Sequence, residues 1–250
     1  MNNKSQTKLN LIILSAIVFI MASLRAVYSG TLTNLFVYWN VFLALISFCF
    51  IHLFKLIASK KEISAKLKNL GLALAFFGWL GLVPNAIYLV TDLGHLNGPR
   101  LVENSRYNPY KKITTPKREV PYLYDVSMLF LLALLGFMAS GIQTNQMFGA
   151  LKQTNLGKLI KFNKKTELAY LGLVSLAVSL AVFLGRYLRW NSWDLIVNPV
   201  NIIKDVYYHL LHPFSTPSLY LISALFFMLT FLAHFIVSDG ASDKNSNFVE

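Results

Sequence analysis

Six separate stretches of this chain are each apolar for about twenty residues, and that length decides what it can fold into. A helix rises about 1.5 Å per residue, so about 20 apolar residues cross a hydrocarbon core roughly 30 Å thick. Residues 9–28, 35–57, 67–90, 123–142, 168–188 and 219–237 meet that length. Each run is continuous and rich in Leu, Ile, Phe and Ala, whereas barrel strands would alternate over about ten residues. The expected fold is therefore all-α, a polytopic membrane helix bundle with six transmembrane helices. One integral-membrane domain takes in residues 1–238, and residues 239–250 form a polar C-terminal tail. A chain that is 55% hydrophobic and 14% charged is no ordinary soluble domain. The first run exceeds the roughly 7–15 residue core of a signal peptide, so it reads as a retained anchor.

Charge then suggests an orientation. The formal net charge is +12, but the basic residues lie almost wholly between the apolar runs. That pattern fits helix orientation and contact with anionic lipid, and it removes nucleic acid as a partner. Lysine clusters with little acid occupy the connections at 59–66 and 143–165, which places both termini in the cytoplasm of a cell membrane. The connection at 97–122 opposes this bias with six basic residues and carries four prolines, marking an irregular surface loop. The single cysteine, Cys49, sits inside the second run, so no disulfide can form within the chain.

Six consecutive spans put the first, third and fifth connections on one side, whichever side that is. Nearly every unusual residue falls there. Asn40 lies just inside the second run; Asn85, Tyr88, Asp92 and His95 end the third; Asp125 begins the fourth. The fifth ends in GRYLRWNSWD, with Arg186, Arg189, Asn191 and Asp194 between and beside two tryptophans. On a continuous helix Asn85, Tyr88, Asp92 and His95 share a face, as do Arg186 and Arg189. Pro84 frees a backbone carbonyl that Asn85 can satisfy.

Each residue has a plainer reading. Arginine and tryptophan at a helix end make an interfacial anchor. Asp125 is favourable at the positive end of a helix dipole. An Asp-x-x-His pair such as Asp92 and His95 is too common to indicate a metal, and no pattern names a cofactor. Anchors, however, need no acids and amides. Polar groups near hydrocarbon are costly unless paired, so the three aspartates are expected to meet Arg186 and Arg189 in one charge-assisted network. Within it, Asp92, His95, Asp125 and Asp194 are the candidate catalytic groups, and Asn40, Asn85, Tyr88, Arg186, Arg189 and Asn191 the candidate binding groups.

The runs YWNVFLAL (38–45), VPNAIYLVTDLGHL (83–96) and GRYLRWNSWDL (185–195) together resemble a family of bacterial multi-pass membrane proteins catalogued as a domain of unknown function. The likeness runs from the second span through the fifth. Where the family has a tryptophan-aromatic-aspartate element, this chain has Leu123, Tyr124 and Asp125, keeping the aspartate and not the tryptophan. The resemblance implies a fold and a location, and no activity.

After Asn198 and Pro199, the run 200–212 reads as a short interfacial helix, on which Asp205, His209 and His212 follow helical spacing. Gly-x-Ser-x-Gly, His-Glu-x-x-His, Cys-x-x-Cys and a complete phosphate loop are all absent from the sequence. Ionisable residues avoid the span centres, which disfavours a proton-coupled transporter; Ser175 and Ser179 leave room for a facilitator. Three readings stay open. One is a protein that binds or processes a lipid headgroup or lipid-linked envelope precursor at the outer ends of helices 2–5. The others are a small-solute transporter or flippase, and a non-catalytic scaffold of an envelope complex.

Overall fold

The computed structural model describes residues 3–32, 34–60, 63–96, 116–154, 162–190, 193–212, 214 and 217–242. Among them every regular element is helical: α1 (Asn3–Ser29), α2 (Leu35–Ser59), α3 (Ala65–Leu82), α4 (Pro84–Tyr88), a 3-10 segment (Leu89–His95), α5 (Pro116–Lys152), α6 (Lys164–Tyr187), α7 (Asp194–Val197), α8 (Pro199–Leu211) and α9 (Pro217–Ser242). Six helical stretches are long and apolar enough to cross a membrane. The chain is a multi-pass membrane protein, as its hydropathy requires.

Local chemistry sets several boundaries. The Ser64 hydroxyl accepts from the Leu67 amide at the start of α3, and Asn163 with Thr166 closes a reciprocal capping box on α6. Pro199 occupies the first turn of α8, where a missing N–H costs nothing. At Pro84 the third span changes register. The Ala86 amide donates to Val83, and Asn85 Nδ2 donates to the Leu82 carbonyl at 2.9 Å, so the carbonyl that this shift leaves open is met by a side chain.

Helix α5 is the centre of the bundle. Its most apolar window is 56% buried against protein, whereas those of α1 and α9 are 22% buried. One apolar cluster joins α1 and α2 to α4, the 3-10 segment and α5 through Val18, Val41, Leu89 and Leu132. A second joins α2, α3, α4, α5, α6 and α9 through Ile51, Trp79, Ile87, Val178 and Phe226. Close approach depends on glycine: a Cβ on Gly136 would run into the Ala86 carbonyl oxygen, and one on Gly141 into that of Ala233. Without a hydrophobic force between helices in lipid, such small-residue contacts and interhelical hydrogen bonds hold the spans together.

Four expectations are corrected. The fourth span does not end at 142; α5 continues to Lys152, so much of the expected loop at 143–165 is helix. The reason is burial: Ser140, Gln143, Thr144 and Met147 recur at helical spacing, and all four are fully buried. Ser47 Oγ donates to Gln143 Oε1 at 2.6 Å, and Gln143 Nε2 donates to the Ala44 carbonyl at 2.9 Å. The third span runs on to His95 as a 3-10 helix instead of stopping at 90. The tail expected from 239 is still helical to Ser242. Finally α6 ends at Tyr187, so Arg186 and Arg189 do not share a helix face. Cys49 is exposed on α2, and Ser175 and Ser179 are buried in the packing of α6.

Candidate functional site

Asp92 lies at the centre of the end of the bundle that carries the unusual residues. Its side chain is 1% exposed, and its Oδ2 accepts from Asn40 Nδ2 at 2.9 Å. His95, one 3-10 turn further on, holds Nε2 3.7 Å from Asp92 Oδ1. That separation is an electrostatic contact, too long for a hydrogen bond. Asp92 Oδ1 accepts no hydrogen bond from the described protein groups. The imidazole is 47% exposed and packs its ring against Phe36, with centroids 4.6 Å apart. Arg186 comes in from α6, within electrostatic reach of both Asp92 and His95. Its Nη2 passes so close to Gly94 that a Cβ there would stand 2.7 Å from it.

The 3-10 winding explains which residues meet. At about three residues per turn, Asp92 and His95 eclipse each other. Asn85 and Tyr88, on the α-helical turn before, turn instead toward α6 and a cleft. The four are thus split into two pairs joined by Asn40, which bonds Asp92 and also lines that cleft.

The cleft has a volume of about 730 Å³, within the range of about 300–1,000 Å³ typical of ligand sites. It lies between α2, α3, α4 and α6, with α7 and α8 at its rim. Its depth is apolar, walled by Phe50, Leu74, Phe77 and Ala181; its mouth carries Asn40, Asn85, Tyr88, Trp190 and Trp193. From Asn40 to Phe50, and from Tyr88 to Leu74, the walls run about 15–20 Å at the helical rise, which is about one leaflet. A Cβ on Gly185 would make ordinary contact with the Trp190 carbonyl oxygen at 3.5 Å and the Tyr88 ring at 3.6 Å.

Arg189 shapes the rim through its backbone. Its φ of 59° is the only positive value at a non-glycine among the described residues. This left-handed turn folds the chain back so that the Trp190 amide donates to the Leu184 carbonyl at 3.2 Å. The Trp190 indole Nε1 then donates to Asp205 Oδ2 at 2.8 Å, which fastens α8 beside the cleft. With Asp205 so engaged, His212 just past α8 holds Nδ1 against the Tyr208 carbonyl at 2.9 Å and His209 packs its ring edge-on to Phe183, so these three side chains serve separate contacts. Among the described residues no group of three metal-ligating side chains converges.

The expected single network is corrected at Asp125. Its carboxylate takes Arg25 of α1 in a two-point pair, Nε to Oδ1 at 2.6 Å and Nη2 to Oδ2 at 2.9 Å, and joins neither Arg186 nor Arg189. Tyr124 donates to the Met21 carbonyl at 2.8 Å beside it. Asp125 therefore staples α5 to α1. Asp194 is the first residue of α7, at the rim next to Trp193. Asn191 lies outside the described residues. Sequence reasoning missed Arg25, although two lone opposite charges at the same level of the first and fourth runs were there to be paired. It also missed a polar cluster at the lysine-rich end. There the buried His234 holds Nε2 3.1 Å from Glu167 Oε1, and Asn145 donates to the His234 carbonyl at 2.8 Å.

A family model described as "Protein of unknown function (DUF1361)" matches residues 39–233, more than three quarters of the chain. That span contains both walls of the cleft and the Asp92 centre, while α1 and Arg25 lie outside it. No curated protein and no solved structure matches the chain.

Proposed function

This chain belongs to the family of proteins of unknown function DUF1361, and from that premise we propose that it binds a membrane lipid, with the tail in the cleft and the headgroup at its mouth. The observation that carries the reading is the gradient along one cleft, from Phe50, Leu74 and Phe77 in the depth to Asn40, Tyr88 and Trp190 at the mouth. An acyl or isoprenoid chain fits the apolar half, and a polar head fits the amides and indoles. We place the mouth on the extracytoplasmic side of a cell membrane, following the lysine bias of the opposite connections. A lipid or lipid-linked envelope precursor held there would stand beside the Asp92–His95 pair. The exposed imidazole is the member that would meet a headgroup, and the buried carboxylate is the one that would steady its charge.

The test is retention of lipid by the purified protein. Ala181→Phe and Leu74→Trp each put bulk into the cleft, while Leu173→Phe enlarges a residue 71% exposed on α6 outside it. The first two are expected to cut co-purifying lipid per protein, read by native mass spectrometry, by about tenfold, or about 1.4 kcal/mol. Leu173→Phe should leave it unchanged. Equal retention by all three would overturn the reading.

A further inference from the structure

We infer that the headgroup taken at this mouth is uncharged and rich in hydroxyls, that of a glycolipid; the inference rests on the reading of the cleft as a lipid site. The first support is the orientation of Asn40. An ionised carboxylate only accepts hydrogen bonds, so the Asn40 nitrogen must face Asp92 and its oxygen must turn away from it. What Asn40 can offer a ligand in the cleft is that oxygen as an acceptor and the second N–H of its amide as a donor. A sugar hydroxyl can use both, donating to the oxygen and accepting from the N–H, whereas an ionised phosphate can use only the N–H.

The aromatic rings point the same way. The chain has four tryptophans; Trp39, Trp190 and Trp193 line this one cleft, and Trp79 is buried in the bundle. A belt of interfacial anchors would spread around the perimeter, whereas these converge with Tyr88 on one opening. The Trp190 ring is fixed through Nε1 by Asp205. Aromatic faces carry partial negative charge, so they accept the C–H face of a sugar ring and repel an anion.

The uncharged lining favours this headgroup over the alternatives. No Asp, Glu, Lys or Arg is among the described residues lining the cleft. Arg186 follows the cleft-lining Gly185, but its Nη2 lies over Gly94 on the 3-10 segment. A phosphate seated among the lining residues would meet no cation there, the nearest guanidiniums being Arg186, drawn toward Asp92 and His95, and Arg189 on the rim. An ammonium headgroup would gain ring faces but no carboxylate among the lining residues, since Asp92 is buried behind Asn40, Asp205 holds Trp190 and Asp194 stands on the rim outside the lining.

The three cleft tryptophans supply the assay. The full-length protein is placed in nanodiscs of phosphatidylcholine containing one lipid brominated on its acyl chains: monoglucosyldiacylglycerol, phosphatidylglycerol or phosphatidylethanolamine. The glucolipid is expected to quench tryptophan fluorescence at about fivefold lower mole fraction than the other two, the scale of a few ring and amide contacts. Tyr88→Leu keeps every tryptophan and should remove that preference while leaving quenching in place; Trp193→Leu is the second variant should the first accumulate poorly. Equal or stronger quenching by phosphatidylglycerol or phosphatidylethanolamine would overturn the glycolipid assignment and leave the lipid cleft standing. So would a glucolipid preference that survives both variants. If Ala181→Phe leaves quenching by all three lipids unchanged, the cleft reading falls as well.

Discussion

Arg25 and Asp125 stand a hundred positions apart and meet in a two-point ion pair, Nε on Oδ1 at 2.6 Å and Nη2 on Oδ2 at 2.9 Å, near one end of the bundle. Their side chains are 21% and 30% exposed, so neither is fully desolvated. The pair joins α1 to α5 and touches no cleft residue, which makes its role separable from the site. Arg25→Leu and Asp125→Leu are each expected to destabilise the protein by about 1–3 kcal/mol, because each leaves a partly buried partner unmet. The double variant should lose less than the sum of the two. Thermal unfolding in detergent measures both effects, with lipid retention expected to match the parent throughout. A single variant that kept full stability but lost its lipid would show that the pair belongs to the site.

Asp92→Asn separates binding from chemistry at the buried centre. The amide keeps the size of the carboxylate and an oxygen for Asn40 Nδ2 to reach, so accumulation and lipid retention should stay near parental values. The negative charge beside His95 is lost. In cells lacking the protein, the expected outcome is that Asp92→Asn fails to restore the envelope-lipid profile read by mass spectrometry. Full restoration at normal abundance would mean that the carboxylate does no more than position Asn40.

Gly94→Ala reaches Arg186 without altering it. A Cβ there would stand 2.7 Å from Nη2 and 3.8 Å from Cζ, so the flexible end of the guanidinium must shift away from Gly94 and change its placement relative to Asp92 and His95. The backbone of Gly94 does not need a positive φ, so alanine fits the main chain. Stability is expected to change by less than about 0.5 kcal/mol. The lipid-profile defect should resemble a milder Asp92→Asn. Normal restoration by Gly94→Ala, together with failure of Arg186→Gln, would locate the importance of Arg186 somewhere other than this contact.

How far the sequence could be read depended on which physical quantity each feature rests on. The six spans rest on hydropathy summed along the chain, and they emerged because no tertiary knowledge is needed to see that Leu35–Ser59 is apolar. Helix ends inside protein are different. Gln143 and Thr144 look like the start of a loop until the Ser47 hydroxyl and the Ala44 carbonyl supply partners. That these residues gather at one side of the membrane, whichever side that is, was legible from topology alone. Which aspartate meets which arginine was not, because Asp125 and Arg186 share that side but belong to helices whose neighbours are set by packing at Gly136 and Gly141. The 3-10 winding that pairs Asp92 with His95 had no signal in residue type.

Arg189 gives a test of turn against side chain. Its φ of 59° costs a residue with a Cβ roughly 1–2 kcal/mol, and glycine is free of that cost. Arg189→Gly should therefore hold or raise the thermal midpoint and preserve the lipid profile. Arg189→Val should lower the midpoint and release the Trp190–Asp205 bond, read as a red shift of tryptophan emission. If Arg189→Gly accumulated normally and failed in cells, the guanidinium itself would be part of the site.

Gly136 offers the strongest test of how the fold positions the site, because it touches no cleft residue directly. A Cβ at this position on α5 would meet the Ala86 carbonyl oxygen and the Leu89 Cβ, both fixed parts of the third span. Neither can swing aside as a long side chain can, so α4 must move off α5, taking Asn85, Tyr88 and Asp92 with it. Gly136→Ala is expected to cost about 1–3 kcal/mol by overpacking, despite alanine's higher helix propensity. It should also weaken lipid retention severalfold. Gly149→Ala on the same helix is the control: nothing lies within 4 Å of its added Cβ, so propensity alone acts and stability should hold or rise. Parental stability and retention in Gly136→Ala would mean that α4 and α5 do not approach this closely, and the placement of Asp92 against Asn40 would lose its support.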